Sequence, residues 1–208
     1  MAPTVLLLHG LLMRRPALLP MALRLRRRGF TPRLFGYSTL WREPEQAVES
    51  LARRLRDLGP EPVHVLAHSL GGLVAIETLC RHPDLPVRRL LCLGSPIGGS
   101  AAALALAQRR VGWIIGRARP LLCAGAPALP KGVEVAMVAG SRPIGLGRLF
   151  GHFQGEHDGT VAVSETRAPG LAGHAVIAAS HSGLVLSAQA ADLAAEFFRS
   201  GRLPDPRL

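Results

Sequence analysis

The sequence predicts an α/β fold in which a mostly parallel sheet carries helices on both of its faces. Short apolar runs recur along the 208 residues, and longer segments with apolar residues at helical spacing separate them. The short runs are apolar almost throughout, as strands that are covered on both faces require. Strands and helices that alternate in this way are typical of a parallel sheet.

The predicted elements follow one another along the whole chain. The strands are TVLLL (4–8), PRLFGY (32–37), VHVLA (63–67), RLLCLG (89–94), VEVAMVAG (133–140) and HAVIAAS (174–180). The helices cover residues 16–28, 44–58, 70–82 and 183–200. The second helix shows the signals well, because Pro44 suits a first helical turn and Gly59 and Pro60 end the helix.

Length and composition favour a single domain over residues 1–208, because no polar linker divides the chain and 48% of its residues are hydrophobic. The net charge of +11 would suit a protein that binds nucleic acid, but the basic residues are scattered and aromatic residues make up only 4%. A nucleic-acid binder is therefore not expected. A solvated basic surface is the simpler interpretation, with peripheral contact to an anionic lipid surface as the alternative. Neither a signal peptide nor a membrane span is recognisable, so a cytoplasmic location is expected, while the oligomeric state stays open.

Two segments interrupt the alternation of strands and helices. Residues 98–130 hold apolar stretches broken by arginine, glycine and proline, a pattern that fits either a lid over a pocket or a pair of surface helices. Residues 141–160 form a long glycine-rich loop of the kind on which sites are built in α/β proteins. Apolar side chains of the first segment are candidates for lining a pocket: Leu104, Leu106, Trp113, Ile114 and Ile115.

The stretch VLAHSLGG, residues 65–72, places Ser69 between a predicted strand and a predicted helix. A serine nucleophile on a sheet needs a sharp strand-to-helix turn, which brings the residues two before and two after the serine close together. Here these residues are Ala67 and Gly71, and both are small. The alternative is that Ser69 only caps the helix that follows it.

The first predicted strand ends in His9 and Gly10, and the loop that follows could direct a backbone N–H toward the same place. Acyl transfer requires two such donors for the oxygen that becomes negatively charged in the tetrahedral intermediate. The backbone amides of Leu11 and Leu70 are the candidate pair. The Leu70 amide would also bind a negative charge more strongly, because it lies at the start of a helix, where the helix dipole is positive.

Together these motifs resemble the α/β-hydrolase superfamily, and within it the lipases and esterases. The residues that carry the resemblance are LLLHGLL (6–12), GYS (36–38), AHSLGGLVA (67–75), LGSPIGGS (93–100), DGTV (158–161) and SHSGLV (180–185). Ala67 departs from the usual G-x-S-x-G pattern by one methyl group. Because only eight residues precede His9, the resemblance implies a reduced, six-stranded version of the α/β-hydrolase fold.

The resemblance also implies that an acid and then a histidine follow the serine along the chain. His181 is the candidate base, because it follows the last predicted strand at the carboxyl end of the sheet. His174 would stand at the opposite end of that strand, roughly 20 Å away at a rise of ~3.3 Å per residue. The other histidines are poorly placed, or are assigned to local hydrogen bonds, helix ends and exposed loops: His9, His64, His68, His82, His152 and His157.

Asp158 is the candidate acid, because it lies in the loop after the fifth predicted strand and matches the family's DG-x-V pattern. Glu156 is the fallback, and Asp84 is assigned to shaping a turn. A metal site made of His152, His157 and Asp158 is the alternative for this loop, but the spacing of these residues does not aim them at one point. Neither a metal nor a cofactor is expected.

The predicted function is hydrolysis of carboxylic esters through an acyl-enzyme, with Ser69 as nucleophile, His181 as base and Asp158 as the group that orients the base. The expected substrate is a small-molecule or lipid ester, and Trp113 and Ile114 are the candidates for its acyl pocket or lid. An acyltransferase, a thioesterase or a non-catalytic module on the same fold stays open as an alternative.

Overall fold

The computed structural model describes residues 2–39, 43–108, 112–145 and 155–204, without the side chains of residues 108 and 112–114. Its strands are β1 (Thr4–Leu8), β2 (Thr31–Phe35), β3 (Val63–His68), β4 (Val87–Leu93), β5 (Glu134–Gly140) and β6 (Gly173–Ile177). They form one sheet in the order β2-β1-β3-β4-β5-β6, and neighbouring strands pair in parallel throughout. The predicted α/β fold with a reduced, six-stranded sheet is thus confirmed.

Helices cover both faces of this sheet. They are α1 (Leu19–Arg27), α2 (Pro44–Arg56), α3 (Leu70–Arg81), α4 (Ala101–Gln108), α5 (Arg119–Ala124) and α6 (Ala188–Ser200). One buried cluster joins α2, α3 and the α4–α5 region to strand residues such as Leu6 and Leu8, and a second joins α1 and α6 to Val5 and Leu7. Successive residues of β1 therefore point into opposite cores, which explains why its sequence is apolar without interruption.

Two strands end two or more residues earlier than the sequence predicts. Strand β2 stops at Phe35, because the backbone N–H of Tyr37 is directed at Nε2 of His9, 3.5 Å away, and no longer joins the sheet. Strand β6 stops at Ile177, where the chain turns back so that the N–H of Ala179 donates to the Ile177 carbonyl at 2.8 Å. Both deviations free a loop at the carboxyl end of the sheet.

Two of the predicted helices are divided. Residues Arg15–Leu18 form a 3₁₀ turn before α1, and Leu184–Leu186 form another before α6. Helix α6 begins only after Ser187, whose hydroxyl accepts a hydrogen bond from the N–H of Ala190 at 3.1 Å. The capping serine therefore sets the start of this helix later than its apolar pattern indicates.

The segment between β4 and β5 contains α4, a 3₁₀ stretch (Gly112–Ala118) that is kinked at Gly116, and α5. Its buried residues Ala103, Ile115 and Leu122 belong to the same core as α2 and α3, whereas Leu104 is 46% exposed. The side chains of Trp113 and Ile114 lie outside the described residues. Whether this segment acts as a lid stays a prediction.

Within the described residues, no helix combines the length and the apolar character that crossing a lipid bilayer requires.

Candidate active site

Ser69 lies at the sharp turn between β3 and α3, with φ 54° and ψ −124°. A non-glycine residue with positive φ costs about 1–3 kcal/mol and persists only where the surrounding structure imposes it. Ser69 occupies the position before the helix, but its side chain makes no capping hydrogen bond. The capping interpretation is therefore wrong, and the Ser69 hydroxyl is left to face the site.

Small residues make this turn feasible. A Cβ on Gly71 would lie 2.7 Å from the carbonyl oxygen of His9, and a Cβ on Gly10 would lie 2.9 Å from Cβ of Ser69. Real Cβ contacts of this length essentially never occur, so both positions require glycine. Ala67 is fully buried in β3, which shows that the turn accommodates its methyl group. The loop after β1 and the serine turn are thus in direct contact.

The structure brings the side chains of Ser69, His181 and Asp158 together. Nε2 of His181 is 2.9 Å from Oγ of Ser69, and Nδ1 of His181 is 2.7 Å from Oδ2 of Asp158. Because an ionised carboxylate only accepts hydrogen bonds, Nδ1 carries the proton, and Nε2 is left to accept the Ser69 O–H. The side chains of His181 and Asp158 are only 12% and 1% exposed, so little water competes for these contacts.

Asp158 is held in place from several directions. Its Oδ1 accepts hydrogen bonds from the backbone N–H groups of Thr160 and Val161, at 2.9 and 2.8 Å. The N–H of His181 also donates to the carbonyl of Asp158 at 2.9 Å, so the two loops share a main-chain bond. Gly94 passes close by, since a Cβ there would lie 3.1 Å from Oδ2 of Asp158.

His68, next to Ser69 in sequence, contacts His181 from the other side. Its Nε2 donates to the carbonyl oxygen of His181 at 3.0 Å, and the two rings are 4.7 Å apart. Burial, together with the neighbouring His181, lowers the pKa of His68 to about 3, so it stays neutral. His68 is therefore a buried support for the His181 backbone rather than a second base, a role that the sequence pattern alone signalled only as local hydrogen bonding.

The loop after β1 is anchored by Tyr37. The Tyr37 hydroxyl donates to the His9 carbonyl at 2.8 Å, and the two rings stack with centroids 4.7 Å apart. Leu12 in this loop has φ 59°, so its backbone, like that of Ser69, is strained. Leu11 follows Gly10 in this loop, and Leu70 is the first residue of α3. Within the described ranges, neither of these two backbone amides donates a hydrogen bond to another group of the protein.

Several residues weighed in the sequence lie elsewhere. His174 is at the amino end of β6, where its Nε2 is 2.8 Å from Oγ1 of Thr166. His157 accepts a hydrogen bond from the N–H of Gly159 within its own turn, and His82 contacts Glu49 on the surface. Asp84 pairs with Arg56 there, and His152 lies outside the described residues. In the part of the chain that the structure describes, no three His, Cys, Asp or Glu side chains are grouped so that they could hold a metal.

Glu165 is a supporting residue that the sequence patterns did not signal. Its carboxylate accepts hydrogen bonds from the N–H groups of Ala101 and Ala162, at 2.7 and 2.9 Å, and its carbonyl accepts one from the N–H of Gly98. Glu165 therefore ties the start of α4 to the loop that carries Asp158. No family motif contains it, because its role depends on two segments that are distant in sequence.

The fold is that of an α/β protein built on a parallel six-stranded sheet, and comparison with known proteins specifies the family. Residues 5–170 match the model of the alpha/beta hydrolase family, and the chain belongs to this family. No curated protein matches the chain by sequence.

Solved structures of lipases and esterases are similar to this fold. The mature lipase BlEst2 of Bacillus licheniformis superposes with a TM-score of 0.77 at 20% identity, over 95% of this chain and 91% of that one. A metagenomic carboxyl esterase, MGS0156, gives 0.72 at 17% identity, over 93% and 74%. Carboxylesterase CesB of Bacillus subtilis gives 0.59 at 15% identity, over 97% and 85%. At such identities the likeness establishes the fold.

Proposed function

We propose that the protein is a serine hydrolase that cleaves carboxylic esters through a covalent acyl-enzyme. The observation that carries the proposal is the continuous chain of contacts from the Ser69 hydroxyl through the His181 imidazole to the Asp158 carboxylate. Groups in this order activate an alcohol as a nucleophile. The lipase and esterase neighbours support the same reaction class.

In the first half-reaction, Oγ of Ser69 attacks the ester carbonyl carbon while its proton passes to Nε2 of His181. The carbonyl oxygen becomes negative, and the amides of Leu11 and Leu70 would donate hydrogen bonds to it. The tetrahedral intermediate then expels the alcohol, which takes its proton from His181. Asp158 stays ionised throughout and stabilises the transient imidazolium.

In the second half-reaction, water attacks the acyl group on Ser69. His181 removes a proton from this water and later returns it to Oγ of Ser69, which releases the acid and restores the enzyme. The bond from His68 to the His181 carbonyl would keep the imidazole in place through both halves.

The substrate we propose is a small-molecule or lipid ester whose acid portion contains an apolar segment. Support comes from the α4–α5 segment, whose Leu104 keeps 46% of its surface exposed, while Leu106 packs partly against the core. Ile115 is buried in that core and is not available to a substrate. Hydrolysis of p-nitrophenyl esters of increasing chain length tests this proposal, and we expect the rate to rise with chain length before it falls.

Labelling with a fluorophosphonate probe tests the nucleophile directly. We expect one equivalent of probe to attach to Ser69 and to abolish ester hydrolysis. Ser95→Ala is the matched control, because Ser95 is a buried serine just beyond the end of β4 and should leave labelling intact. Labelling that survives in Ser69→Ala, or a wild-type protein that the probe does not modify, would contradict the proposal.

A further inference from the structure

A cleft of about 530 Å³ opens beside the loop after β1, where β1 and β2 end. The residues that line it include His9, Gly36 and Tyr37, together with Arg14 and Arg15. Among the described residues that line this cleft, two carry guanidinium groups and none carries a carboxylate. The cleft is therefore electropositive.

The cleft and the serine turn share a wall. The carbonyl oxygen of His9 accepts the Tyr37 hydroxyl and at the same time lies against Gly71, where a Cβ would approach it to 2.7 Å. The next residue, Gly10, packs against Cβ of Ser69. The cleft therefore borders the same loop after β1 that contacts the serine turn.

Arg15 is positioned by the fold rather than free on the surface. A Cβ on Gly36 would lie 2.7 Å from both Cγ and Cδ of Arg15, so the stem of this arginine lies across the backbone at the end of β2. After burial, which is the main cause, the charge of Arg15 also contributes to lowering the pKa of His9. The guanidinium of Arg15 is therefore close enough to His9 to act on it electrostatically. Arg14 and Arg15 are both exposed, and within the described ranges neither makes an ion pair.

We propose that this cleft binds an anionic group of the substrate, a carboxylate or a phosphate, so that the preferred ester is negatively charged near its scissile bond. The planar guanidinium fork matches both anions with paired, charge-assisted hydrogen bonds. This inference rests on the proposed ester hydrolysis for its catalytic meaning, but the binding of the anion does not depend on catalysis.

The kinetic test compares charged and neutral esters of equal length. One pair is mono-p-nitrophenyl glutarate and p-nitrophenyl valerate, with the charge in the acid portion. The other is 4-carboxyphenyl butyrate and 4-methylphenyl butyrate, with the charge in the alcohol portion. We expect wild-type protein to prefer the anionic ester in at least one pair. Arg14→Gln/Arg15→Gln should lower kcat/KM for that ester by about 10-fold to 100-fold, mainly through KM, because a hydrogen bond to a charged group contributes about 1.5–3 kcal/mol.

The matched control is Arg26→Gln/Arg27→Gln, which removes the same charge from an adjacent pair of exposed arginines in the last turn of α1. This control should leave all four rates within about twofold, since Arg26 and Arg27 are not among the residues that line the cleft. The Arg14/Arg15 variant should likewise keep hydrolysis of the neutral esters. Equal losses for charged and neutral esters, or no preference in either pair, would overturn the proposal.

Binding to Ser69→Ala protein separates this proposal from that of ester hydrolysis. Calorimetric titration of this variant with mono-p-nitrophenyl glutarate and with 4-carboxyphenyl butyrate should show that at least one of the two esters binds. Adding Arg14→Gln/Arg15→Gln to the Ser69→Ala protein should weaken that binding about 10-fold or more. If the ester binds in this arginine-dependent way but the wild-type protein hydrolyses no ester, the anion site is supported and the proposed ester hydrolysis is contradicted. Hydrolysis of neutral esters without anion binding would overturn only the anion site. Arginine-dependent sedimentation with phosphatidylglycerol vesicles, without a preference for either soluble anionic ester, would also overturn it, because the arginines would then contact a lipid surface instead of substrate.

Discussion

The carboxyl ends and the amino ends of the parallel strands both hold buried polar side chains, but they use them differently. At the amino ends, Arg89 of β4 donates to Glu134 of β5 and to the carbonyl oxygen of Phe198 near the end of α6. At the carboxyl ends, the Ser69 hydroxyl and the His181 imidazole form an equally well connected group. The first set pairs polar groups of the scaffold with one another. The second ends in a hydroxyl that faces the site.

Backbone strain follows the same division. Both non-glycine residues with positive φ in the described part of the chain, Leu12 and Ser69, lie at the carboxyl ends of strands. The amino ends hold α6 against the sheet through Arg89 without such positions. The comparison indicates that the strained non-glycine positions of the described residues lie at the end of the sheet that carries Ser69, whereas Arg89 links β4, β5 and α6 at the other end without such strain.

The largest expected effect is at Ser69. Ser69→Ala should lower kcat for ester hydrolysis by up to about 10⁶-fold, because the attacking atom is lost. The midpoint of thermal unfolding should stay the same or rise. Ser95→Ala should keep nearly full activity. Residual hydrolysis by Ser69→Ala at a substantial fraction of the wild-type rate would place the reaction elsewhere in the molecule.

Asp158→Asn should lower kcat by about 10⁴-fold, because an amide in this position can favour the wrong tautomer of His181. The matched control is Glu156→Gln, a carboxylate two residues earlier in the same loop. Initial rates on one p-nitrophenyl ester measure both variants. A larger loss in Glu156→Gln than in Asp158→Asn would transfer the role of the acid to Glu156.

Arg89→Ala tests the amino end. It should lower the free energy of unfolding by about 3 kcal/mol, because the Phe198 carbonyl and the Glu134 carboxylate lose a buried partner. Activity at a temperature well below the unfolding midpoint should change little. Arg88→Ala, which removes an exposed neighbouring arginine, is the control for urea unfolding and should cost less than about 0.5 kcal/mol. Comparable losses in both variants would remove the distinction between the two ends.

Each end also holds one buried, neutral histidine. Burial is the main cause that lowers the pKa of His68 to about 3 and that of His64 to about 4, from 6.5. Since the unfolded chain binds these protons more readily, both histidines stabilise the fold fully above pH 6.5, and this contribution is lost as the pH falls toward the folded-state values.

The free energy of unfolding should fall less steeply with decreasing pH in His68→Gln and in His64→Gln than in the wild-type protein. We expect the slope to decrease by up to about 1.4 kcal/mol per pH unit between pH 6 and 4 in each variant. Urea unfolding at a series of pH values measures this. Only His68→Gln should also lower kcat, by about tenfold, because only His68 supports His181. An equal kcat loss in His64→Gln would show that the effect comes from general destabilisation.

Tyr37→Phe should have the smallest effect. It removes the hydroxyl that donates to the His9 carbonyl but keeps the stacked ring, so we expect kcat to fall about threefold to tenfold with little change in KM. Phe35→Leu, at the end of β2, is the control for lost packing alone. A Tyr37→Phe variant with unchanged kcat would mean that the loop after β1 holds its position without this bond.

Local patterns in the sequence predicted most of the fold, because continuous apolar runs and helix-ending residues such as Gly59 act within short stretches. The strand ends were less accurate: β2 stops early because Tyr37 bonds to His9, a contact between segments that no local pattern contains. For the same reason Glu165 and the His68–His181 bond were not foreseen. The sequence could still identify Ser69, His181 and Asp158 as candidates, because the family's motifs follow one another in a known order. That order indicates which distant residues are expected to meet in space.

The main-chain bond between His181 and Asp158 has a consequence for protein engineering. The bond joins the two loops that carry these residues. A shift of one loop would therefore shift the other as well, and the distance between His181 and Asp158 would be kept. Anyone who transplants this pair onto another scaffold would have to move residues 158–161 and 181 together, because the bond that fixes their spacing joins the two loops.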